Sequence, residues 1–535
     1  MPDEENPAES ERAAELTELC YFTLFFLCLG TLALSCYAFY LYNAVPAVSA
    51  QSEVYFDAPN TQWKLYTITV DTQGPVHIVD DKFVSFNLDS AVFSRRWDWE
   101  ELNLEAKELV TICRPLAPAV LRVGGQTSNY ILFTEKNRTS PSGAQDWKEN
   151  LGLDRGNKVV MVYGDDWIKL NKFVTDVGFD LLFSLNGLNR KSGGWDTSNA
   201  VRLLRFTDSM KYSVHWQLGS ELEKSGLVRP DELARDYSAL RHLLLFWPTN
   251  SKLVGPDIKD TSFEALAFLD SFLEEGHTSL DAITFHHFYL NDQYGTPRDL
   301  LQGNVLRGLK SSVQRVAGVL KRNALRKSIW ITEEASAAGD GLLAVSDSYA
   351  SALLWLDTLG MAARLGVDIV IRQALLGSSN RLLTSDFRPL PGYWVSLLHK
   401  KLVGPRVLEL KIDPDDEGVR IYAHCLRDGA LRPHKGSVLL FGLNVGNTTV
   451  ELHPKNVELR TNRRLHYVLS PAGREGLLSE DITLNGQLLR VGEELRFPDI
   501  MPDVRLPDHK ILLRPNTMGF FVFENFQAPA CTATY

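Results

Sequence analysis

The segment Val214-His-Trp-Gln-Leu-Gly-Ser220-Glu221 is an apolar run that ends in a carboxylate, and Ser328-Ile-Trp-Ile-Thr332-Glu333 shows the same pattern. In a βα barrel, a carboxylate just past a buried strand lies at the C-terminal mouth, where these barrels carry their chemistry. Two carboxylates there suit cleavage of a glycosidic bond, which needs a proton donor and a nucleophile or base. The alternative is that each glutamate caps the helix after its strand. The two segments alone leave both interpretations open.

Short apolar runs alternate with helix-length amphipathic segments on both sides of these two segments. The candidate strands are 83–88, 119–123, 180–185, 213–218, 252–255, 282–289, 328–331 and 367–371. Helical patterns lie between most of them, for example at 99–113, 199–210, 230–246, 262–275, 300–321 and 346–365. This alternation predicts a (β/α)8 TIM barrel over residues 81–402, with a doubly wound sheet as the alternative.

The pattern of apolar and polar residues changes after Leu402. Period-two alternation and turn residues dominate there, as in Ser437-Val-Leu-Leu-Phe-Gly442 and Gly519-Phe-Phe-Val-Phe523. This pattern predicts an antiparallel β-sandwich domain over residues 403–535. The segment 62–80 is typical of one or two strands, and we expect it to join the sandwich.

The N-terminal region predicts a membrane anchor. Residues 1–18 form an acidic tail, and the uncharged stretch Leu19–Tyr42 is long enough to cross a bilayer as a helix before a stalk at 43–61. We therefore expect a single-pass membrane protein that contacts the lipid bilayer and has a lumenal or extracellular body. Val48-Ser49-Ala50 resembles a signal-cleavage site, so a secreted or lysosomal protein is the alternative.

The composition sets further limits. The 535 residues are 44% hydrophobic and 23% charged, as in a globular protein of about two domains. The net charge of −10 argues against a nucleic-acid partner, because such proteins are basic. Sequons at Asn137 and Asn447 predict N-glycosylation. Cys113 falls on an apolar helical pattern and is expected to be a reduced core thiol, whereas Cys425 and Cys531 could be bridged in an oxidising compartment.

From about residue 81 to 531 the chain resembles the heparanase family of glycoside hydrolases. The motifs that carry this resemblance are Leu121-Arg-Val-Gly-Gly125, Phe183-Ser-Leu-Asn-Gly-Leu188, Trp216-Gln-Leu-Gly-Ser-Glu221, Phe285-His-His-Phe-Tyr-Leu-Asn291, Trp330-Ile-Thr-Glu333, Ile371-Arg-Gln373, Pro389-Leu-Pro-Gly-Tyr-Trp394 and Leu402-Val-Gly404. The resemblance implies a (β/α)8 barrel with a β-sandwich and retaining β-glucuronidase activity, endo- or exo-acting. Animal members act on heparan sulfate, so a polysaccharide or proteoglycan glycan chain is the expected partner.

The resemblance also implies roles for individual residues. Glu221 would be the proton donor and Glu333 the nucleophile, and we expect burial and the neighbouring Glu333 charge to raise the pKa of Glu221. Arg122 would keep Glu333 ionised and oriented, unless it forms only a surface ion pair. Two other carboxylates are not expected to take part: Glu334 should point away from Glu333, and Glu223 should be a solvated loop residue.

Saccharide-binding positions of the family correspond to Asp89, Gln126, His286, Gly339 and Tyr393 in this sequence. His286 and His287 are neighbours on a strand and face opposite ways, so we expect no metal site, and no cofactor is implied. A Cys425–Cys531 disulfide is expected from matching positions in the family's sandwich.

Several positions depart from the family pattern. The usual Asn and Pro around the acid/base are Ser220 and Leu222, and an expected Tyr is Phe288. Carboxylates stand where sulfate-binding cations are expected: Asp165, Asp166, Asp257 and Asp260. These departures indicate either an active glycosidase that prefers substrates of low sulfation or a catalytically impaired protein that binds glycans or proteins.

Overall fold

In the computed structural model, eight strands close into a parallel barrel. We number them β1–β8 in chain order: Val84–Asp89, Ala119–Gly124, Phe179–Leu185, Val214–Leu218, Leu253–Ile258, Ala282–Leu290, Ser328–Ala337 and Ile369–Arg372. Strand β8 pairs with β1 through Val370 and Val84, which closes the ring. The predicted TIM barrel is therefore confirmed, and the alternative of an open doubly wound sheet is wrong because this sheet has no edge.

The structure describes residues 63–94, 102–137, 159–247, 250–290, 294–339, 341–430, 436–455, 463–524 and 526–532. The expected acidic tail, transmembrane helix Leu19–Tyr42 and stalk lie outside the described residues. Within those ranges, no helix has the length and apolarity needed to span a membrane.

A helix follows each barrel strand. In chain order, α1–α8 are Lys107–Cys113, Gly164–Val177, Ser198–Ser209, Pro230–Leu244, Phe263–Gly276, Gly308–Arg322, Tyr349–Arg364 and Pro391–Leu402. Short helices occur at Leu222–Ser225, Pro297–Leu300, Gly303–Leu306 and Pro529–Thr532. The single helix predicted at 300–321 is wrong: it is broken into several pieces, and two of them begin at Gly303 and Gly308, because glycine disfavours a continuous helix.

The barrel interior has two levels of different polarity. An apolar cluster fills the lower part, with Val120, Leu182, Val254, Trp330 and Ile371 fully buried in it. Side chains alternate along a strand, so the next inward position on β2 after Val120 is Arg122, nearer the C-terminal mouth. The apolar cluster thus fills the lower part of the barrel, and polar side chains lie above it at the C-terminal mouth.

Two β-sheets pack together to form the second part of the structure. A nine-stranded sheet contains His77–Ile78, Val403–Leu408, Val419–Leu426, Val438–Asn444, Thr517–Phe523, Arg464–Pro471, Ile482–Leu484, Gln487–Leu488 and Asp503–Arg505. A four-stranded sheet contains Leu410–Asp413, Lys64–Val70, Val450–Pro454 and Ile511–Leu513. The strand Lys64–Val70 thus lies beside strands from the C-terminal half of the chain, and residues of both sheets share a buried core.

Polar contacts tie the sandwich to the barrel and to its own C-terminus. Asp357 of α7 is fully buried and accepts a hydrogen bond from the Tyr422 hydroxyl at 2.6 Å, and it also pairs with Arg420. A disulfide joins Cys425 to Cys531, as expected, and Cys113 is a buried free thiol. The two sequon asparagines, Asn137 and Asn447, are exposed, and their glycosylation stays a prediction.

Candidate active site

Glu221 lies in the turn that follows β4, at the C-terminal mouth of the barrel. Its backbone is left-handed, with φ of 53°, and its N–H donates to the carbonyl of Asp257 at 3.0 Å. Glu221 precedes the short helix Leu222–Ser225, but its side chain makes no capping hydrogen bond to that helix. Glu221 thus occupies the N-cap position of this short helix, but its side chain does not act as the cap.

Glu333 lies within β7 rather than past its end, because the strand continues to Ala337. The pairing register shifts between Phe285 and His286 on one side of β7, and between Ile331 and Glu334 on the other. Such irregularities re-aim side chains in a sheet. With these register shifts, the Glu333 side chain faces the inside of the barrel mouth. The sequence pattern predicts a shorter strand that ends before Glu333.

The two glutamates approach each other closely. A carboxylate oxygen of Glu221, one of Glu333 and a ring nitrogen of His286 all lie within 4.8 Å of one another. Both carboxylates are largely buried, with 8% of Glu221 and 4% of Glu333 exposed. The separation is in the range of retaining glycosidases, at about 5 Å, and too short for a water to fit between them as inverting enzymes require.

Arg122 of β2 lies directly above the apolar cluster and orients the polar side chains of the site. Its guanidinium is fully buried and donates from Nη1 to Glu333 Oε1 at 2.7 Å and from Nη2 to Asp257 Oδ2 at 2.8 Å. Nε donates to Gln217, and Nη1 also reaches the Oδ1 atom of Asn87. Arg122 is thus an internal orienting residue, and the alternative of a surface ion pair is wrong.

The Arg122 guanidinium depends on a glycine beside it. A Cβ on Gly124 would lie 2.5 Å from the Arg122 Cζ atom, so a larger residue there would displace the guanidinium from its contacts with Glu333 and Asp257. Gly124 is the first glycine of the Leu121-Arg-Val-Gly-Gly125 motif. Its role is to leave the space that the charged group occupies.

Asp257 is a functional candidate that sequence reasoning missed. It follows the apolar part of β5, has φ of +66° and is fully buried. Its oxygens accept hydrogen bonds from Ser220 at 2.7 Å and from Thr332 at 2.6 Å, besides the Arg122 ion pair. Although burial opposes ionisation, Arg122 and then His286 hold the pKa of Asp257 well below its usual range. The signal was the same as for Glu221, a carboxylate at the end of a buried run.

His286 connects this network to both candidate catalytic glutamates. Nε2 lies 3.0 Å from Asp257 Oδ2, while Nδ1 lies 3.2 Å from Glu221 Oε1 and 3.7 Å from Glu333 Oε2. Burial alone would lower the pKa of His286, but the charges of Glu333 and Asp257 outweigh it and raise that pKa well above its usual value. The three surrounding carboxylates thus favour the imidazolium form of the ring.

The expected rise in the pKa of Glu221 is not found. Burial acts in that direction, but the adjacent His286 cation outweighs it, and the pKa of Glu221 lies below its usual value. Gln126 Nε2 also donates to Glu221 Oε2 at 2.7 Å, and Lys259 Nζ lies 3.6 Å from the same oxygen. All three neighbours favour the ionised carboxylate.

Most of the predicted saccharide-binding residues surround this mouth. Gln126 contacts Glu221 directly, and His286 lies between the glutamates. Asp89 ends β1 beside Gly125, where an added Cβ would meet its carboxylate at 3.2 Å. Gly339 follows β7 and is exposed. Its φ of +67° lies in the left-handed region, where any residue with a Cβ would have a strained backbone.

Tyr393 is the exception, and its predicted contact with a saccharide is wrong. It lies on α8 outside the ring of strands and is fully buried. Its hydroxyl donates to the carbonyl of Ile112 in α1 at 2.8 Å, and its ring packs edge-on against Trp394. The residue ties two outer helices together and has no surface to offer a ligand.

The departures from the family pattern change what the site presents. Ser220 is fully buried, and its hydroxyl donates to Asp257, so it offers no donor toward a sugar. Phe288 lies two residues beyond His286 on β6 and packs edge-on against it, without a hydroxyl for Glu333. The Tyr289 hydroxyl is bonded to Thr358 of α7 at 2.7 Å, on the opposite side of the strand.

The two carboxylates set aside by the sequence differ from each other. Glu334 is fully buried and pairs with Arg372 at 3.1 Å, away from the mouth. Glu223 is not a solvated residue as expected: one oxygen accepts from the Lys259 N–H at 2.8 Å, and the other is buried without a hydrogen-bond partner. Burial raises the pKa of Glu223 to about 7.

Fewer of the four carboxylates that stand at expected sulfate-binding positions (Asp165, Asp166, Asp257 and Asp260) face solvent than the sequence indicated. Asp257 belongs to the buried network, and Asp166 is buried where it accepts a hydrogen bond from the Tyr163 N–H. Asp260 is half-exposed but pairs with Lys224 at 3.0 Å. At least two of the four carboxylates, Asp166 and Asp257, are therefore buried and are not surface charges that repel a sulfated chain.

The cluster of Glu221, His286 and Glu333 is compact enough for a metal ion. A metal would have to displace the proton from an imidazolium and lie beside the buried Arg122 cation, and both conditions disfavour it. His287 faces away with Tyr289, and burial lowers its pKa to about 3. A site without metal remains a prediction.

Two buried carboxylates at this separation, at the mouth of a (β/α)8 barrel, define the arrangement of a glycoside hydrolase. The family model described as glycosyl hydrolase family 79, N-terminal domain, matches residues 66–360. Bovine (Bos taurus) heparanase is 32% identical over 86% of this chain and 91% of its own length. The chain belongs to this heparanase-like glycosyl hydrolase family.

Other relatives differ in what their names say of them. Mouse (Mus musculus) inactive heparanase-2 is 30% identical over 87% of this chain and 90% of its own. A hyaluronoglucuronidase of Hirudo nipponia is 27% identical over 88% of this chain and 99% of its own length. A GH51 arabinofuranosidase of Xanthomonas axonopodis pv. citri shares the fold, with a TM-score of 0.62, 12% identity and coverage of 86% of this chain and 100% of that chain.

Proposed function

We propose that this protein is a retaining β-glucuronidase in which Glu333 is the nucleophile and Glu221 the proton donor. The observation that carries the proposal is the approach of the two carboxylates within 4.8 Å, with Glu333 held by a buried arginine. Arg122 Nη1 donates to Glu333 Oε1 at 2.7 Å, which orients the carboxylate for attack as a nucleophile.

In the first step, a Glu333 oxygen attacks the anomeric carbon while Glu221 donates its proton to the departing glycosidic oxygen. This forms a glycosyl ester on Glu333 and releases the leaving group as an alcohol. In the second step, Glu221 removes a proton from water, the water oxygen attacks the anomeric carbon, and Glu333 departs as a carboxylate. Arg122 and Asp257 stay charged and paired throughout, which keeps the site preorganised.

We propose a glucuronide of glycosaminoglycan type and low sulfation as the substrate. Support comes from relatives named heparanase and hyaluronoglucuronidase and from the net charge of −10, which disfavours a dense polyanion. Anchoring through Leu19–Tyr42, with secretion or lysosomal delivery as the alternative, stays a prediction for residues outside those described.

A second candidate function is glycan or protein binding without turnover. Ser220 turns its hydroxyl away from the mouth and Phe288 offers none, so two donors that could stabilise the transition state are missing. The similarity to inactive heparanase-2 fits this alternative. Its two glutamates would then bind sugar hydroxyl groups without chemistry.

The experiment that separates the two functions follows the first-formed anomer by NMR during hydrolysis of 4-nitrophenyl β-glucuronide. The retaining enzyme releases β-glucuronic acid before mutarotation. Release of the α-anomer would contradict Glu333 as a nucleophile. If folded protein cleaves neither this substrate nor an unsulfated glucuronic-acid polysaccharide, the binding function is favoured. Unsulfated and sulfated polysaccharides, compared by reducing ends, then test the substrate preference.

A further inference from the structure

Lys259 is a cation at the mouth that has no part in the mechanism above. It is the first residue after β5, and its side chain is 28% exposed. Its N–H donates to Glu223 Oε1 at 2.8 Å, and the adjacent Asp260 pairs with Lys224 at 3.0 Å. These two contacts connect the loop after β5 to the short helix Leu222–Ser225 and fix the position of the Lys259 backbone.

The ammonium group faces the candidate proton donor. Its Nζ lies 3.6 Å from Glu221 Oε2, whereas Glu221 Oε1 faces His286. A general acid must come within about 3 Å of the oxygen that it protonates. Lys259 therefore lies on the leaving-group side of the bond, within reach of a substituent a few atoms beyond the glycosidic oxygen.

The charges around Lys259 leave it uncompensated when the site is ready to react. Glu221 must then hold a proton, so the 3.6 Å ion pair is lost. Glu223 has a pKa raised to about 7 by burial and is largely neutral in mild acid. Asp260 keeps Lys224 as its partner. An anionic group brought in by the leaving group would replace the lost counter-charge.

We propose that Lys259 is a specificity-determining residue that pairs with an anionic substituent, a carboxylate or a sulfate, on the leaving group next to the cleaved bond. The inference rests on the proposed glucuronidase function and narrows its substrates. The site selects a single anion close to the scissile bond instead of a long, densely charged chain.

The test uses full-length protein and three aryl β-glucuronides whose leaving groups are 3-carboxyphenol, 3-sulfophenol and the neutral 3-carbamoylphenol. Wild-type protein should prefer an anionic substrate over the neutral one by about 10-fold in kcat/KM at low salt, mainly through KM, and salt should weaken the preference. Comparison of the carboxylate with the sulfonate identifies which anion is favoured.

The variants separate charge from structure. Lys259→Gln should abolish the preference, measured as the ratio of kcat/KM values for anionic and neutral substrates at one pH, because any change in the protonation of Glu221 acts equally on all three substrates. Lys259→Arg should keep the preference. Lys172→Gln is the control for loss of one positive charge and should also keep it, since Lys172 pairs with Asp176 on the outer helix α2, away from the loop after β5. A wild-type enzyme without preference, or equal loss on all substrates in Lys259→Gln, would overturn the role of Lys259 while the function stands. No cleavage of even the neutral substrate would overturn both.

Discussion

Glu221 Oε1 lies 3.2 Å from Nδ1 of His286, and this contact sets the protonation of the candidate acid. Nε2 of His286 lies 3.0 Å from Asp257 Oδ2, so a fully buried carboxylate orients the ring beside Glu221. The pKa of Glu221 is lowered despite burial. A lowered pKa would confine a proton-donating Glu221 to acid pH.

The first prediction concerns the pH profile. Glu221 acts as an acid only when protonated, so kcat/KM should fall as pH rises through its pKa. Because the His286 cation lowers that pKa, His286→Gln should raise it and move the alkaline limb to higher pH, with a lower maximum rate. Rates measured from acid to neutral pH on one aryl glucuronide check this.

His287→Gln is the control, because His287 is on the opposite face of β6 and does not contact Glu221. Its alkaline limb should coincide with that of the wild type. If the limb of His286→Gln stays in place or moves toward acid, His286 does not set the pKa of Glu221.

The second prediction is that Glu333→Gln loses at least about 10⁴-fold in kcat, as removal of a covalent nucleophile does in other enzymes. The change is nearly isosteric, so the melting temperature should shift little. Activity and melting curves measured on the same preparation check both points.

Glu334→Gln is the matched comparison one position along β7. It leaves Arg372 buried without a counter-ion, and such a loss costs about 3–5 kcal/mol of stability. It should lower the melting temperature but keep turnover in the fraction that is folded. A reversed pattern, with Glu333→Gln active, would exclude Glu333 as the nucleophile.

The third prediction separates the acid from the nucleophile by leaving group. Glu221→Gln should slow hydrolysis of alkyl glucuronides by about 10²–10⁴-fold, and that of dinitrophenyl glucuronides far less, because good leaving groups need little protonation. A series of phenols of graded acidity measures this dependence. Equal losses across the series would remove Glu221 from the acid role.

The fourth prediction concerns the disulfide between Cys425 and Cys531, which are separated by 106 positions. A loop of that size gives a stabilisation of roughly 4–5 kcal/mol in the chain-entropy model. Mild reduction should therefore lower the melting temperature, and non-reducing peptide maps should show the linked pair. Cys113 should resist alkylation until the barrel unfolds, and early labelling of Cys113 would contradict its burial.

The sequence predicted the barrel well because each strand carries its own local signal. Eight apolar runs at regular spacing are sufficient to define the ring, and Glu221 and Glu333 follow from their places at two run ends. The role of Arg122 came from the family resemblance, and its place on a buried strand agrees with that role. These inferences need only the alternation of side chains along a strand.

What failed depends on contacts between distant segments. The burial of Glu223 requires the N–H of Lys259, and the lowered pKa of Glu221 requires the ring of His286. Tyr393 was assigned from its place in a motif, but α8 turns it toward α1. Asp257 was counted as a repelling surface charge because a sequence does not show that Arg122 lies against it.

The central claim is that Glu333 forms a covalent bond with the substrate. An aziridine or epoxide that mimics β-glucuronic acid reacts with a retaining nucleophile and stays attached, so full-length protein treated with it can be digested and mapped by mass spectrometry. We predict one modified peptide, with the label on Glu333, and none in Glu333→Gln. A folded wild-type protein that stays unlabelled, or a label on Glu221 instead, would contradict the account.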